Sequence, residues 1–88
     1  MTYQVIISPT AARQLQERLP EAAAWACYEF IRGPLAAEPR RVGVPLRRPF
    51  EGYWRARRGE YRVRYTIDDD TKQVCILDID HRRDAYHR

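Results

Sequence analysis

Tyr53-Trp54-Arg55-Ala56-Arg57-Arg58-Gly59-Glu60-Tyr61-Arg62-Val63-Arg64-Tyr65-Thr66-Ile67 alternates in two runs on either side of a glycine-containing turn. Successive side chains of a strand point to opposite faces, so two such runs around a short turn predict a β-hairpin. In the second run Tyr61, Val63, Tyr65 and Ile67 share one face, and Arg62 and Arg64 the other. In the first, Trp54 and Ala56 go with the apolar set, leaving Tyr53, Arg55 and Arg57 beside the arginines. One face is therefore core. The other gathers four guanidinium groups and a phenol, and cross-strand like charges destabilise by roughly 0.2–1 kcal/mol a pair unless a counter-charge is at hand. Such a face asks for an anion.

Downstream, the polar turn Asp68-Asp69-Asp70-Thr71-Lys72 leads into a third strand from Gln73 to Ile79, whose unbroken Val74-Cys75-Ile76-Leu77 run suits an interior position. Upstream, Leu35 to Arg48 carries Pro39, Gly43, Pro45 and four arginines without a period, which predicts an extended connection across the surface. Before it, Tyr3 to Ile7 is a short β-rich run. Ser8 then caps a helix with Pro9 in its first position, running to about Arg18 with Ala12, Leu15 and Leu19 on one face. Pro20-Glu21 starts a second helix with Ala23, Ala26, Cys27, Phe30 and Ile31 on one stripe and Gly33-Pro34 as its expected stop. Trp25 and Tyr28 fall off that stripe, and core packing is the expected use of Trp25. The predicted fold class is α+β in the order β-α-α-β-β-β, two N-terminal helices on a small, mainly antiparallel twisted sheet. With 88 residues there is material for one core, so a single domain spanning 1–88 is expected.

Of sixteen basic residues only Lys72 is lysine, and the net charge of +4 hides a strong polarity. From Arg40 to Arg64 nine arginines meet two acids, for a local charge of +7, while the rest of the chain sums to −3. Guanidinium forks match phosphate oxygens and stack on bases, so the field and its chemistry both point to a phosphate-rich partner, RNA before others. Cys27 and Cys75 lie within apolar runs and read as reduced core thiols. Neither metal-ligand spacing nor a cofactor motif is present, and the start Met-Thr-Tyr-Gln-Val lacks the features of a leader or a membrane anchor, so a cytoplasmic location with no membrane partner is expected.

Leu46, Gly52, the block Arg57-Arg58-Gly59-Glu60-Tyr61-Arg62-Val63-Arg64-Tyr65 and the tail His81-Arg82-Arg83-Asp84-Ala85-Tyr86 resemble the pattern of the RelE family of toxin–antitoxin modules. The resemblance spans the whole chain, including both early helices and the strand order. It implies a RelE-like fold and an endonuclease that cuts mRNA in the A site of a translating ribosome, restrained by a cognate antitoxin in a hetero-oligomer. Arg62 and Arg82 match the family's phosphate- and transition-state-binding arginines, and Tyr86 its C-terminal tyrosine. Arg55 and Tyr53 stand where well-known members have lysines.

Metal-independent cleavage would use the RNA's own 2′-hydroxyl as nucleophile. Arg55, Arg62 and Arg82 suit stabilisation of the charge that develops on phosphorus. Arginine stays protonated and is a poor base, so proton transfer falls to His81 and Tyr86, with Glu51, Glu60 and His87 behind them. Arg47, Arg48, Arg57, Arg58 and Arg64 read as docking charges, and Tyr53 as a stacking surface. Two other functions fit the same residues: a ParE-like toxin that blocks a DNA topoisomerase without cutting RNA, and a non-catalytic RNA-binding module.

Overall fold

A computed structural model of the chain describes residues 2–81. The element order is β1 (Gln4–Ile7), α1 (Pro9–Arg13) continued by a π-helical stretch (Gln14–Arg18), α2 (Glu21–Phe30) continued by a second π-helical stretch (Ile31–Leu35), β2 (Gly43–Pro45), β3 (Tyr53–Arg58), β4 (Tyr61–Asp68) and β5 (Gln73–His81). The strands form one sheet in the order β1-β5-β4-β3-β2, with β1 parallel to β5 and the other neighbours antiparallel. The α+β class, the two helices and the hairpin follow the sequence.

Four expectations need correction. Cys75 is not a core thiol; it is only partly buried, on the face of β5 opposite Val74 and Ile76. The connection after α2 is not wholly irregular, because Gly43–Pro45 adds an edge strand along β3. Gly43 is needed there: a Cβ at that position would lie 2.1 Å from the Tyr65 hydroxyl. That hydroxyl, in turn, donates to the Pro39 carbonyl at 2.5 Å. Gly33-Pro34 does not stop the second helix. Proline has no N–H and its ring crowds the preceding turn, and the chain widens at this point, with Ala36 N–H reaching back to the Ile31 carbonyl, to carry both residues through. Trp25 is not core; it is 60% exposed.

Both helices lie on one face of the sheet, where Ala11, Cys27, Ile31 and Leu35 meet Ala56, Val63, Tyr65, Val74, Ile76 and Ile79. The start of α1 follows the sequence, for the Ser8 hydroxyl accepts from Ala11 N–H at 3.1 Å with Pro9 in the first turn. Ser8 also does something its sequence position does not announce. β1 pairs with β5 only as far as Ile76, and beyond it the Ser8 hydroxyl donates to the Leu77 carbonyl at 2.7 Å, while Gln14 Oε1 accepts from Ile79 N–H at 2.6 Å. Two side chains of the first helix thus replace the missing strand neighbour of β5.

Leu77 is a bulge. Arg64 pairs with Asp78 and Tyr65 with Ile76, so one residue of β5 is left over. A bulge shifts the alternation by one, which is why Val74 and Ile76 are buried before it and Ile79 after it. Without it Asp78 and Asp80 would turn into the core.

Candidate nucleic-acid interface

The sheet face away from the helices carries the arginines. Arg55 stands opposite Arg64, and Arg57 opposite Arg62. Continuing across β4, Arg64 faces Asp78 and Arg62 faces Asp80 on β5. Two rungs result, Arg55–Arg64–Asp78 and Arg57–Arg62–Asp80, each with two cations and one carboxylate. The counter-charges that the hairpin alone lacked come from the neighbouring strand.

The first rung is closed. Arg64 Nε donates to Asp78 Oδ1 at 2.9 Å and Arg64 Nη2 donates to Asp78 Oδ2, a two-pronged pair with a partly buried carboxylate. That pairing, first of all, raises the guanidinium's pKa, and Asp80 and the Tyr53 hydroxyl add to the effect. Tyr53 belongs to the arginine face by the alternation of β3, in which Trp54 and Ala56 turn toward the core. Arg55, Arg57 and Arg58 are exposed along β3. Arg62, in the second rung, has interactions of its own within the chain.

Arg47 and Arg48 lie in the loop between β2 and β3, both exposed, with Arg48 Nε donating to Glu51 Oε2 at 3.2 Å. Glu51 is thus an ion-pair partner, and Glu60 sits in the exposed hairpin turn. His81 ends β5 in register with Tyr61, the two rings meeting edge to face at 5.1 Å between centroids. Together with Gln14, Arg18, Leu19, Ile79 and Asp80 they line a cleft of about 380 Å³ at the end of the sheet. Tyr61 packs against the core, so His81 stands on the helix side of the strand end, one residue from Asp80 on the arginine side. Arg82, Tyr86 and His87 lie outside the described residues.

The bulge that turns Asp78 and Asp80 onto this face leaves no mark in the sequence pattern. Sequence reasoning passed over Phe50, which is exposed in the β2–β3 loop. On the helix side, Trp25 and Tyr28, whose rings meet edge to face at 6.1 Å, line a groove with Leu15, Leu19 and Ala24. No group of three or more histidine, cysteine or acidic side chains is placed to hold a metal ion among the described residues. Among them, too, no helix is long and apolar enough to cross a membrane.

Residues 5–86 match the family described as "ParE toxin of type II toxin-antitoxin system, parDE". The chain belongs to the RelE/ParE toxin family. Within it, the chain is 54% identical over 84 residues to Toxin RelE of Mycobacterium tuberculosis, covering 96% of this chain and 86% of that one. It is 49% identical over 88 residues to Toxin RelG of the same organism, covering 100% of both. Among solved structures, the toxin–antitoxin complex RelBE2 from Mycobacterium tuberculosis matches with a TM-score of 0.89 and 48% identity, over 93% of this chain and 100% of that one. The archaeal RelE–RelB complex from Pyrococcus horikoshii matches with a TM-score of 0.71 and 33% identity, over 93% and 97%. The two helices on a five-stranded mixed sheet are thus the fold of RelE structures.

Proposed function

We propose that this protein is a RelE-type toxin that cuts mRNA on the ribosome, with the arginine face of the sheet as its substrate surface. The observation that carries the reading is the pair of cross-strand rungs, Arg55 opposite Arg64 and Arg57 opposite Arg62, on the face opposite the one that α1 and α2 cover. Fixed guanidinium groups of this kind bind phosphate and stabilise negative charge as it develops.

The reaction is transesterification. The 2′-oxygen attacks phosphorus and the bond from phosphorus to the 5′-oxygen breaks, giving a 2′,3′-cyclic phosphate and a 5′-hydroxyl. One proton leaves the 2′-hydroxyl and one reaches the departing oxygen, so the balance needs no metal. Arg55 and Arg62, joined by Arg82 from the tail, hold the phosphorane. His81 and Tyr86 are the proton-transfer pair, an imidazole and a phenol being side chains that can take up and release a proton; His81 ends β5 beside Asp80, at the same end of the sheet as the Arg57–Arg62 rung. Arg47, Arg48, Arg57 and Arg58 dock phosphates and Tyr53 stacks on a base. Arg64, held by Asp78, stiffens the floor of the site and adds its charge from there.

A cognate antitoxin is the second partner, in keeping with the antitoxin complexes of the two structural relatives; complementary charge would draw an acidic segment to this face. The matched family carries the ParE description, so a toxin that never cuts RNA is the rival. Incubating the purified protein with programmed ribosomes and mapping new 5′ ends on the mRNA separates them. Cuts at A-site codons are expected. Growth arrest on expression with no new ends would decide for the rival.

A further inference from the structure

The loop between β2 and β3 is fastened at its base and twice within. Leu46 N–H donates to the Tyr53 carbonyl at 2.8 Å, Phe50 N–H to the Arg47 carbonyl at 2.9 Å, and Tyr53 N–H to the Phe50 carbonyl at 3.1 Å. Residues 47–50 and 50–53 are therefore two successive turns that share Phe50. Gly52, third residue of the second turn, has φ +92, the left-handed value that a type II turn demands there. The Arg48–Glu51 pair bridges the two turns. A loop tied this way has little freedom to choose where its side chains go, yet it leaves Phe50 45% exposed and Tyr53 39% exposed. Neither ring belongs to the core cluster.

We propose that Phe50 and Tyr53 form a stacking platform for unpaired nucleobases at the rim of the arginine face. The first and fourth Cα atoms of a turn lie within about 7 Å of each other, close enough for the two rings to meet neighbouring bases of one strand. Tyr53 sits beside Arg64 on the arginine face, and the exposed Arg47 and Arg48 flank Phe50 in the loop. Single-stranded RNA is bound by this combination, aromatic faces for the bases and guanidinium groups for the phosphates between them. A partner helix would instead want a continuous apolar stripe, which Arg47, Arg48 and Arg55 interrupt.

This inference rests on the RNA reading above and adds where the bases lie. The test uses the full chain with Phe50→Ala, Phe50→Leu and Phe50→Tyr. Affinity is measured for a single-stranded mRNA oligomer and for ribosomes programmed with the same oligomer, 2′-O-methylated so that it cannot be cut. Base stacking on one aromatic side chain implies a loss of roughly 5- to 100-fold for Phe50→Ala. Phe50→Leu, apolar but without a π-face, remains weakened, and Phe50→Tyr binds like the wild type. Loss on both probes assigns the base to mRNA, and loss on ribosomes alone assigns it to ribosomal RNA; either supports the platform. The slope of affinity against salt stays unchanged, since no phosphate contact is removed. Wild-type binding that all three variants reproduce overturns the platform and leaves the RNA reading standing. Wild-type protein that binds neither probe overturns both. Weakened antitoxin binding with unchanged RNA binding makes the loop a protein contact and also overturns it.

Discussion

Arg64 and Asp78 face each other in register on two interior strands and are joined by two hydrogen bonds between guanidinium fork and carboxylate. The pair decides how crowded the arginine face can be: Asp78 supplies the counter-charge that lets Arg55, Arg62 and Arg64 share one surface. Asp78→Asn removes that charge while keeping the size of the side chain. With Arg64 36% and Asp78 17% exposed, a loss of about 1–3 kcal/mol is expected, read from urea unfolding. The Arg64→Ala, Asp78→Ala double-mutant cycle checks the assignment, because additive single effects would mean the two residues are not coupled.

Ser8→Ala is expected to cost more than an ordinary cap. The hydroxyl accepts from Ala11 N–H and donates to the Leu77 carbonyl, so its loss uncaps α1 and strips the bulge of a partner. About 2 kcal/mol is expected, against about 1 for a cap alone. Hydrogen exchange should report it on both sides, with faster exchange in the first turn of α1 and in β5 near Leu77. Faster exchange confined to α1 would mean the bulge does not depend on Ser8.

Trp25→Ala should change stability by no more than about 0.5 kcal/mol, the usual range for surface positions. A buried tryptophan would lose roughly 3–5 kcal/mol. Thermal unfolding distinguishes the two outcomes directly.

Asp69 gives the chain an acid limit. Its carboxylate accepts from Arg40 Nη2 at 2.5 Å and from the Tyr3 hydroxyl at 2.6 Å, and these bonds, Arg40 first, hold its pKa down at about 2 against an ordinary 3.8. A folded pKa below the unfolded one adds stability that is fully present above about pH 4 and disappears as the pH falls toward about 2. Wild type should therefore melt above Asp69→Asn at about pH 5, with the gap closing at about pH 2. A gap that keeps its size across that window would exclude this carboxylate as the cause.

On programmed ribosomes, Arg62→Ala and Arg55→Ala should each lower the single-turnover cleavage rate by about 10²–10³-fold, the usual cost of one charge-stabilising donor. Both side chains sit off the core, so melting temperatures should stay close to wild type. Wild-type cleavage rates in both variants would move the reaction centre elsewhere.

Much of this was legible in the chain itself. Alternation of period two fixes which hairpin side chains share a face whatever the surroundings, and Ser8-Pro9 is a local signal read by local hydrogen bonding. The misreadings all concern residues whose environment comes from distant segments. Trp25 is an apolar side chain whose burial depended on a neighbour that the fold does not bring. Pro34 breaks an ordinary α-helix, but a widened turn absorbs it. Gly43–Pro45 is too short to show a period and becomes a strand only because β3 lies beside it.

What the sequence by itself determined was the hairpin, the segregation of arginines to one of its faces and the amphipathic helix that covers the other, since these follow from backbone geometry and the spacing of apolar residues. What only the tertiary structure decided was the electrostatic state of that arginine face. The Leu77 bulge, with its carbonyl held by Ser8, shifts β5 by one residue and turns Asp78 and Asp80 outward onto Arg64 and Arg62. A one-residue shift in register inverts every side chain beyond it, and here it comes with a hydrogen bond between positions 69 residues apart, a distance at which no local pattern can carry the information.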